Sequence, residues 1–357
     1  MMESLIFLVS PPRAGSTLLM RVLNATSQIH SRPEPHLMGP LAHLGFYGNV
    51  DKAPYDHLQS ADAIRQIVKD LPGGEEDYLE ALRAYADCLY RKMHALSPQK
   101  ERYFLDKTPA NALVLPFLMK LYPRAKFIVL TRHPAAIFAS YAESFFDGDY
   151  EAAAAFNPIL VRYIPAMAQF MRQTEVPFLQ VSYEDLVTQS EATLQRICSY
   201  LDIPFEAEAL NYKKKEVSGK GLGDPVGVKK HSRPVSSSKD TWGAELAANH
   251  LRYEVVARQI AQVDPADLET WGYPIGSFWK PMEEADPASW KARKIELDNF
   301  QAQRRGLRYL RKLAAPGTGF HQTLSKLRFY TDVVIRDSFA DYTHMPMRRP
   351  KEGGGEE

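Results

Sequence analysis

Phe7-Leu8-Val9-Ser10-Pro11-Pro12-Arg13-Ala14-Gly15-Ser16-Thr17-Leu18-Leu19-Met20 reads as the end of a buried strand, a tight loop and the first turn of a helix. The apolar run Leu5 to Val9 is short and rich in strand formers, whereas Leu18, Leu19, Val22 and Leu23 recur at helical spacing, in a helix ending near Asn24 to Ser27. The loop between them holds one Gly, three hydroxyls and one Arg. Such a turn aims backbone N–H groups and the positive end of a helix dipole at one point, so an anion can dock there.

The whole 357-residue chain is 45% hydrophobic and 24% charged, which suits one large or two modest globular domains. Forty-four basic against 43 acidic residues leave a net charge of +1, so global charge points to no nucleic-acid partner. Cys88 and Cys198 fall in segments of helical periodicity and suggest neither a disulfide framework nor a metal site; a reducing compartment follows. The N-terminal apolar run is too short for a secretory signal, and no stretch approaches the roughly 18 apolar residues of a membrane span. The expectation is a soluble, cytoplasmic protein with no transmembrane segment.

Outward from the opening stretch, the same strand–loop–helix order recurs. Tyr103-Phe104-Leu105 predicts a strand, Asp106-Lys107-Thr108-Pro109 its exit loop, and 111–121 a helix. Strand 126–130 leads through Thr131-Arg132-His133-Pro134 into helix 135–144, and strand 178–181 through Ser182-Tyr183-Glu184-Asp185-Leu186 into helix 190–201. Alternation of this kind predicts an α/β fold, a three-layer parallel sheet flanked by helices, with ligands at the carboxyl ends of the strands. Arg13, Lys107, Arg132 and Tyr183 therefore converge on one edge. In Arg32-Pro33-Glu34-Pro35-His36 a Pro on either side of Glu34 holds the chain extended and displays that carboxylate. Residues 37–54 read as an irregular substrate-side insertion, and 60–71 and 75–95 as packing helices.

Beyond Asp202 the Gly-rich, basic stretch 218–225, with Lys220 and Gly221, continues through His231 and Arg233 and reads as a flap. A helix over 246–260 and Trp271-Gly272-Tyr273-Pro274 close a domain expected to span 1–275. From Lys291 to Tyr330 ten Lys/Arg stand against two acids within an expected basic helical extension, 276–345, before an expected disordered tail, 346–357. Its sign suits an acidic carrier protein or an anionic lipid, although a solvated helical face is the commoner role.

The chemistry is carried by two motifs. The Arg13 loop lacks the first Gly and the Lys of the triphosphate loop G-x-x-x-x-G-K-[ST]. Pro-x-Arg-x-Gly-Ser-Thr instead resembles the 5′-phosphosulfate loop of sulfotransferases that use 3′-phosphoadenosine 5′-phosphosulfate (PAPS). Arg132 and Ser140, eight apart, resemble that family's 3′-phosphate site, an Arg fork plus a hydroxyl. Tyr183 to Leu186 resembles its nucleotide-lining tyrosine segment, and Lys220-Gly221 its late basic loop. The resemblance covers residues 5 to 240 and is greatest to the branch with Arg in the first loop, shared by tyrosylprotein sulfotransferases and the sulfotransferase domains of olefin-forming polyketide synthases.

The resemblance implies a P-loop sulfotransferase fold and in-line transfer of a sulfuryl group to a hydroxyl, without a metal and with adenosine 3′,5′-bisphosphate as product. Pro109 stands where the steroid and phenol enzymes carry their basic His, so the base lies elsewhere; Glu34 matches the catalytic Glu of the tyrosylprotein branch. His36 or His231 are the alternative bases, and an ion pair of Glu34 with Arg32 is the purely structural alternative. Arg13 and Lys107 are expected to act on the sulfuryl and leaving-group oxygens. Ala14, Gly15, Ser16, Thr17, Leu18, Arg132, Ser140, Tyr183, Lys220, Gly221 and Arg233 are expected to bind the donor. The expected acceptor is a small-molecule or acyl hydroxyl, carried in one version on an acyl-carrier protein of secondary metabolism. Sulfation of a tyrosine or carbohydrate hydroxyl, a nucleotide-binding kinase and a non-catalytic partner protein are the alternatives.

Overall fold

The structure is a computed structural model that describes residues 2–48, 50, 56–215, 231–237 and 239–291, with isolated positions between 306 and 327. The chain divides into two units, Met1–Ala292 and Arg293–Glu357. Lys220, Gly221, the rest of 216–230, most of the basic extension and the polar tail lie outside the described residues.

The first unit is built on five parallel strands, β1 (Leu5–Val9), β2 (Ile29–Ser31), β3 (Tyr103–Asp106), β4 (Lys126–Thr131) and β5 (Phe178–Ser182), in the order β2-β3-β1-β4-β5. All five residues of β1 are buried, as a central strand covered on both faces requires. Phe7 pairs with Asp106 of β3 and Phe127 of β4, and its ring packs 5.5 Å from Phe127 and 5.7 Å from Tyr122. Helices α1 (Ser16–Asn24), α2 (Met38–Ala42), α3 (His57–Asp70), α4 (Glu75–His94), α5 (Leu115–Leu121), α6 (Pro134–Phe146), α9 (Tyr183–Thr188) and α10 (Ser190–Leu201) follow the strands in sequence. Because every strand runs the same way, the loops that carry Arg13, Glu34, Lys107, Arg132 and Tyr183 leave the sheet at one edge.

Several elements differ from the sequence reading. Strand β2 is a three-residue edge strand whose polar His30 and Ser31 hide its period. The Asn24 side chain at the end of α1 accepts the Ser31 N–H at 2.8 Å, and the Ser31 hydroxyl donates to Leu105 O at 2.9 Å. The expected helix over 111–121 is a 3-10 turn, Pro109–Leu113, and α5, parted at Val114 because Pro116 has no N–H to continue the ladder. The expected helix over 246–260 is also two helices, Thr241–Ala248 and His250–Ile260; Asn249 breaks the run and caps the second by accepting from the Arg252 N–H. Helices α7 (Tyr150–Phe156) and α8 (Ile159–Gln173) add a layer, and Pro165 inside α8 masks its pattern. Trp271 ends a separate helix, Pro265–Trp271, and residues 275–289 form further short turns within the first unit.

Among the described residues no helix is long and apolar enough to cross a membrane. Cys88 is exposed, Cys198 is buried, and both are free thiols. Phe7 fills the middle of the sheet, so Phe7→Ala is expected to cost roughly 3–5 kcal/mol in urea denaturation; a cost below about 1 kcal/mol would place the core elsewhere.

Candidate active site

Gly15 caps α1 with φ +95° and offers no side chain to cap the helix N–H groups. A β-carbon here would meet the Tyr183 ring at 2.4 Å, so both the backbone and its neighbour demand glycine. The preceding Arg13 is itself left-handed, at φ +68°. Its Nε donates to Ser140 Oγ at 3.2 Å, its guanidinium lies 5.7 Å from the Phe145 ring, and its carbonyl accepts from Arg132 Nη1 at 2.9 Å. The sequence reading paired Ser140 with Arg132. The structure gives Ser140 to Arg13 and sets Arg132 one step behind, against the Arg13 backbone.

Arg132 stacks its guanidinium 4.2 Å above the Tyr183 ring. Its Nε is buried without a hydrogen-bond partner, and among the described residues no carboxylate forms an ion pair with it. Burial lowers the Arg132 pKa, opposed by the neighbouring Tyr183 and Glu184. A largely buried cation with an unused donor is poised for an anion. Ser10, at the mouth of the same loop, also has a buried hydroxyl without a partner. Arg13, Gly15, Arg132, Ser140 and Tyr183 thus form one cluster.

A second cluster adjoins it through Thr17. Lys107 is 1% exposed and joins Glu34 Oε1 at 2.5 Å while its Nζ reaches Thr17 Oγ1 at 3.4 Å. The other Glu34 oxygen meets His36 Nε2 at 3.2 Å. Glu34 is therefore engaged by Lys107 and His36, not by Arg32, and Lys107 is no solvated loop residue. His36 adopts φ +53°, and its N–H donates to Thr108 Oγ1 at 3.4 Å. Thr108 in turn donates to Asp106 Oδ1 at 2.7 Å, and Tyr90 to Asp106 Oδ2 at 2.5 Å. Burial pushes the Asp106 carboxyl above its usual range, and these two hydroxyls oppose the shift. The sequence reading missed this support because Tyr90 lies on a helix that carries no motif.

Other candidates stand apart. His231 is exposed, and among the described residues no contact joins it to Glu34. Arg233 lines a surface hollow of about 480 Å³ with Thr188, Ser190 and Leu210. His133, beside Arg132, is structural: it stacks on Trp242 at 4.2 Å, and its Nε2 meets Phe278 O at 2.9 Å.

The sulfotransferase family profile matches residues 5–207. The chain belongs to the sulfotransferase family. It is 32% identical over 273 residues to nodulation protein NoeE of Sinorhizobium fredii, an alignment covering 69% of this chain and 61% of NoeE. It is 22% identical over 213 residues to protein-tyrosine sulfotransferase A of Caenorhabditis elegans, covering 58% of this chain and 52% of that protein. The chain thus spans less than two thirds of either relative. Among solved structures, the sulfotransferase domain of a Synechococcus olefin synthase superposes with a TM-score of 0.48 and 25% identity, over 73% of this chain and 95% of that domain.

Burial pushes His133 down to about 4 from 6.5, with Phe278 O working the other way. The unfolded chain therefore binds the extra proton first. No penalty exists above about pH 6.5, and one growing to about 3 kcal/mol accumulates as pH falls to about 4. Urea denaturation at pH 7 and pH 4.5 is expected to show the wild-type chain losing about 2 kcal/mol more than His133→Gln between the two conditions. Equal losses would assign the acid sensitivity to other groups.

Proposed function

We propose that this chain transfers a sulfuryl group from PAPS to a hydroxyl of a small-molecule or carrier-bound acyl acceptor, with Glu34 as general base. The observation that carries the reading is the Lys107 bridge, which sets a carboxylate and a buried cation beside Thr17 of an uncapped helix N-terminus. Fit to the donor is supported by the unpartnered Nε of Arg132, the unpartnered Ser10 hydroxyl and the Gly15 cradle that a β-carbon would fill. Arg13 and the N–H groups of Ala14 to Leu18 would hold the 5′ end, with Arg132, Ser140 and Tyr183 holding the 3′ side.

PAPS, when bound, supplies the activated sulfuryl group. Lys107 and Arg13 provide preorganised positive charge for the oxygens that gain charge during transfer. Glu34, 13% exposed, takes the acceptor proton, and His36, 43% exposed, gives that proton a path to water. So enclosed a carboxylate favours a slim hydroxyl-bearing chain as acceptor. A second reading, sulfation of a tyrosine hydroxyl, draws on the likeness to the protein-tyrosine sulfotransferase.

Thermal shift with adenosine 3′,5′-bisphosphate, ATP·Mg and AMP in parallel tests the donor. Stabilisation is expected to be greatest with the bisphosphate and to vanish in Arg132→Ala; an ATP-selective response would replace the donor reading with a kinase. Turnover with PAPS and a panel of a hydroxyacyl thioester, a sugar and a tyrosine peptide tests the base and the acceptor. Glu34→Gln is expected to lower the rate on the order of 100-fold or more while leaving bisphosphate affinity unchanged. An active Glu34→Gln with an inactive His36→Ala would move the base to His36.

A further inference from the structure

The peptide that joins Arg132 to His133 is gripped at both of its polar groups. Trp271, fully buried, donates its indole N–H to the Arg132 carbonyl at 3.0 Å across 139 residues of sequence. On the other edge of the same plane the His133 N–H donates to Glu184 Oε1 at 3.1 Å. The two anchors are themselves linked. Gly272, at φ +96°, turns the chain after Trp271, and the Tyr273 hydroxyl donates to Glu184 Oε2. The Tyr273 ring also meets the His133 ring edge-on at 5.2 Å.

A peptide unit is planar and rigid, so fixing its carbonyl and its N–H fixes the direction in which the chain enters and leaves it. The guanidinium of Arg132 then needs few further restraints. Its side chain is held by the Tyr183 face and the Arg13 carbonyl, and its Nε remains unpartnered. Trp271 and Tyr273 lie beyond the 5–207 stretch matched by the family profile, so the match does not account for this brace.

We infer that Trp271, Tyr273 and Glu184 are positioning residues that lock the Arg132–His133 peptide and so aim Arg132 at the 3′-phosphate of the nucleotide, an inference that rests on the donor site proposed above. None of the three touches the ligand in this reading. They act by removing conformational freedom that binding would otherwise have to remove. Their effect therefore falls on the 3′-phosphate and spares the rest of the nucleotide.

Calorimetric titration of the full-length chain with adenosine 3′,5′-bisphosphate and with adenosine 5′-monophosphate separates these effects. The ratio of the two affinities isolates the 3′-phosphate, and Arg132→Ala sets its floor. Tyr273→Phe, which removes one hydroxyl, is expected to lower the ratio about tenfold, the size of one charge-assisted hydrogen bond, with the monophosphate affinity nearly unchanged. Trp271→Phe is expected to act in the same direction. With PAPS, Tyr273→Phe is expected to raise KM and leave kcat within about twofold. A Tyr273→Phe chain that keeps the wild-type ratio, or weakens both nucleotides equally, overturns the inference. A wild-type chain with no preference for the bisphosphate instead overturns the donor reading beneath it.

Discussion

The ring of Tyr183 occupies the space that a side chain on residue 15 would need, and the rest of the proposed anion site depends on that close approach. With only hydrogen at Gly15, the ring lies against the turn and offers its other surroundings to Arg132, whose guanidinium stacks at 4.2 Å. Arg132 then reaches the carbonyl of Arg13, and Arg13, in a left-handed conformation, directs its own side chain to Ser140. Strands β1, β4 and β5 contribute one loop each. Their parallel register, with Val9 opposite Val129 and Thr131 opposite Ser182, brings the three loops to the same height.

Lys107 links this cluster to the carboxylate side. A buried lysine is costly without a partner, and Glu34 at 2.5 Å supplies it. The same ammonium group reaches Thr17, so one cation serves the end of the Arg13 loop and the proposed base together. Behind it, Asp106 holds Thr108, and Thr108 holds the backbone of His36 in a conformation that few non-glycine residues adopt. The buried carboxyl thus acts on the exposed imidazole through a hydroxyl and a peptide N–H, a tertiary arrangement that spacing alone does not encode.

Strands β1, β3, β4 and β5 were legible because each is a short apolar run bounded by polar, Gly or Pro residues. Strand β2 was not, since His30 and Ser31 owe their burial to β3, Phe104 and the stacked His94 ring, 6.1 Å away. The site divides in the same way. Arg13, Lys107 and Arg132 stand directly after recognisable strands, so topology alone brought them together. Tyr90, Trp271 and Tyr273 enter through contacts between distant segments, and nothing local distinguishes them from ordinary core aromatics. Pro116 and Asn249 each sit in a run of otherwise helical residues, and the break follows from backbone hydrogen bonding at one position.

The strand order β2-β3-β1-β4-β5 also sets a timetable. Strand β1 leaves the ribosome before the other four strands of the sheet, yet it pairs with no strand made before residue 103. Its five fully buried residues must wait, exposed, while about a hundred residues are added, a delay that favours aggregation of the nascent chain. The Arg132–His133 peptide waits longer still, because its indole anchor lies 139 residues further along the chain. A ribosome-bound chain can therefore acquire its sheet well before it can hold its arginine still. Synthesis of the chain thus separates the pairing of the sheet from the bracing of Arg132.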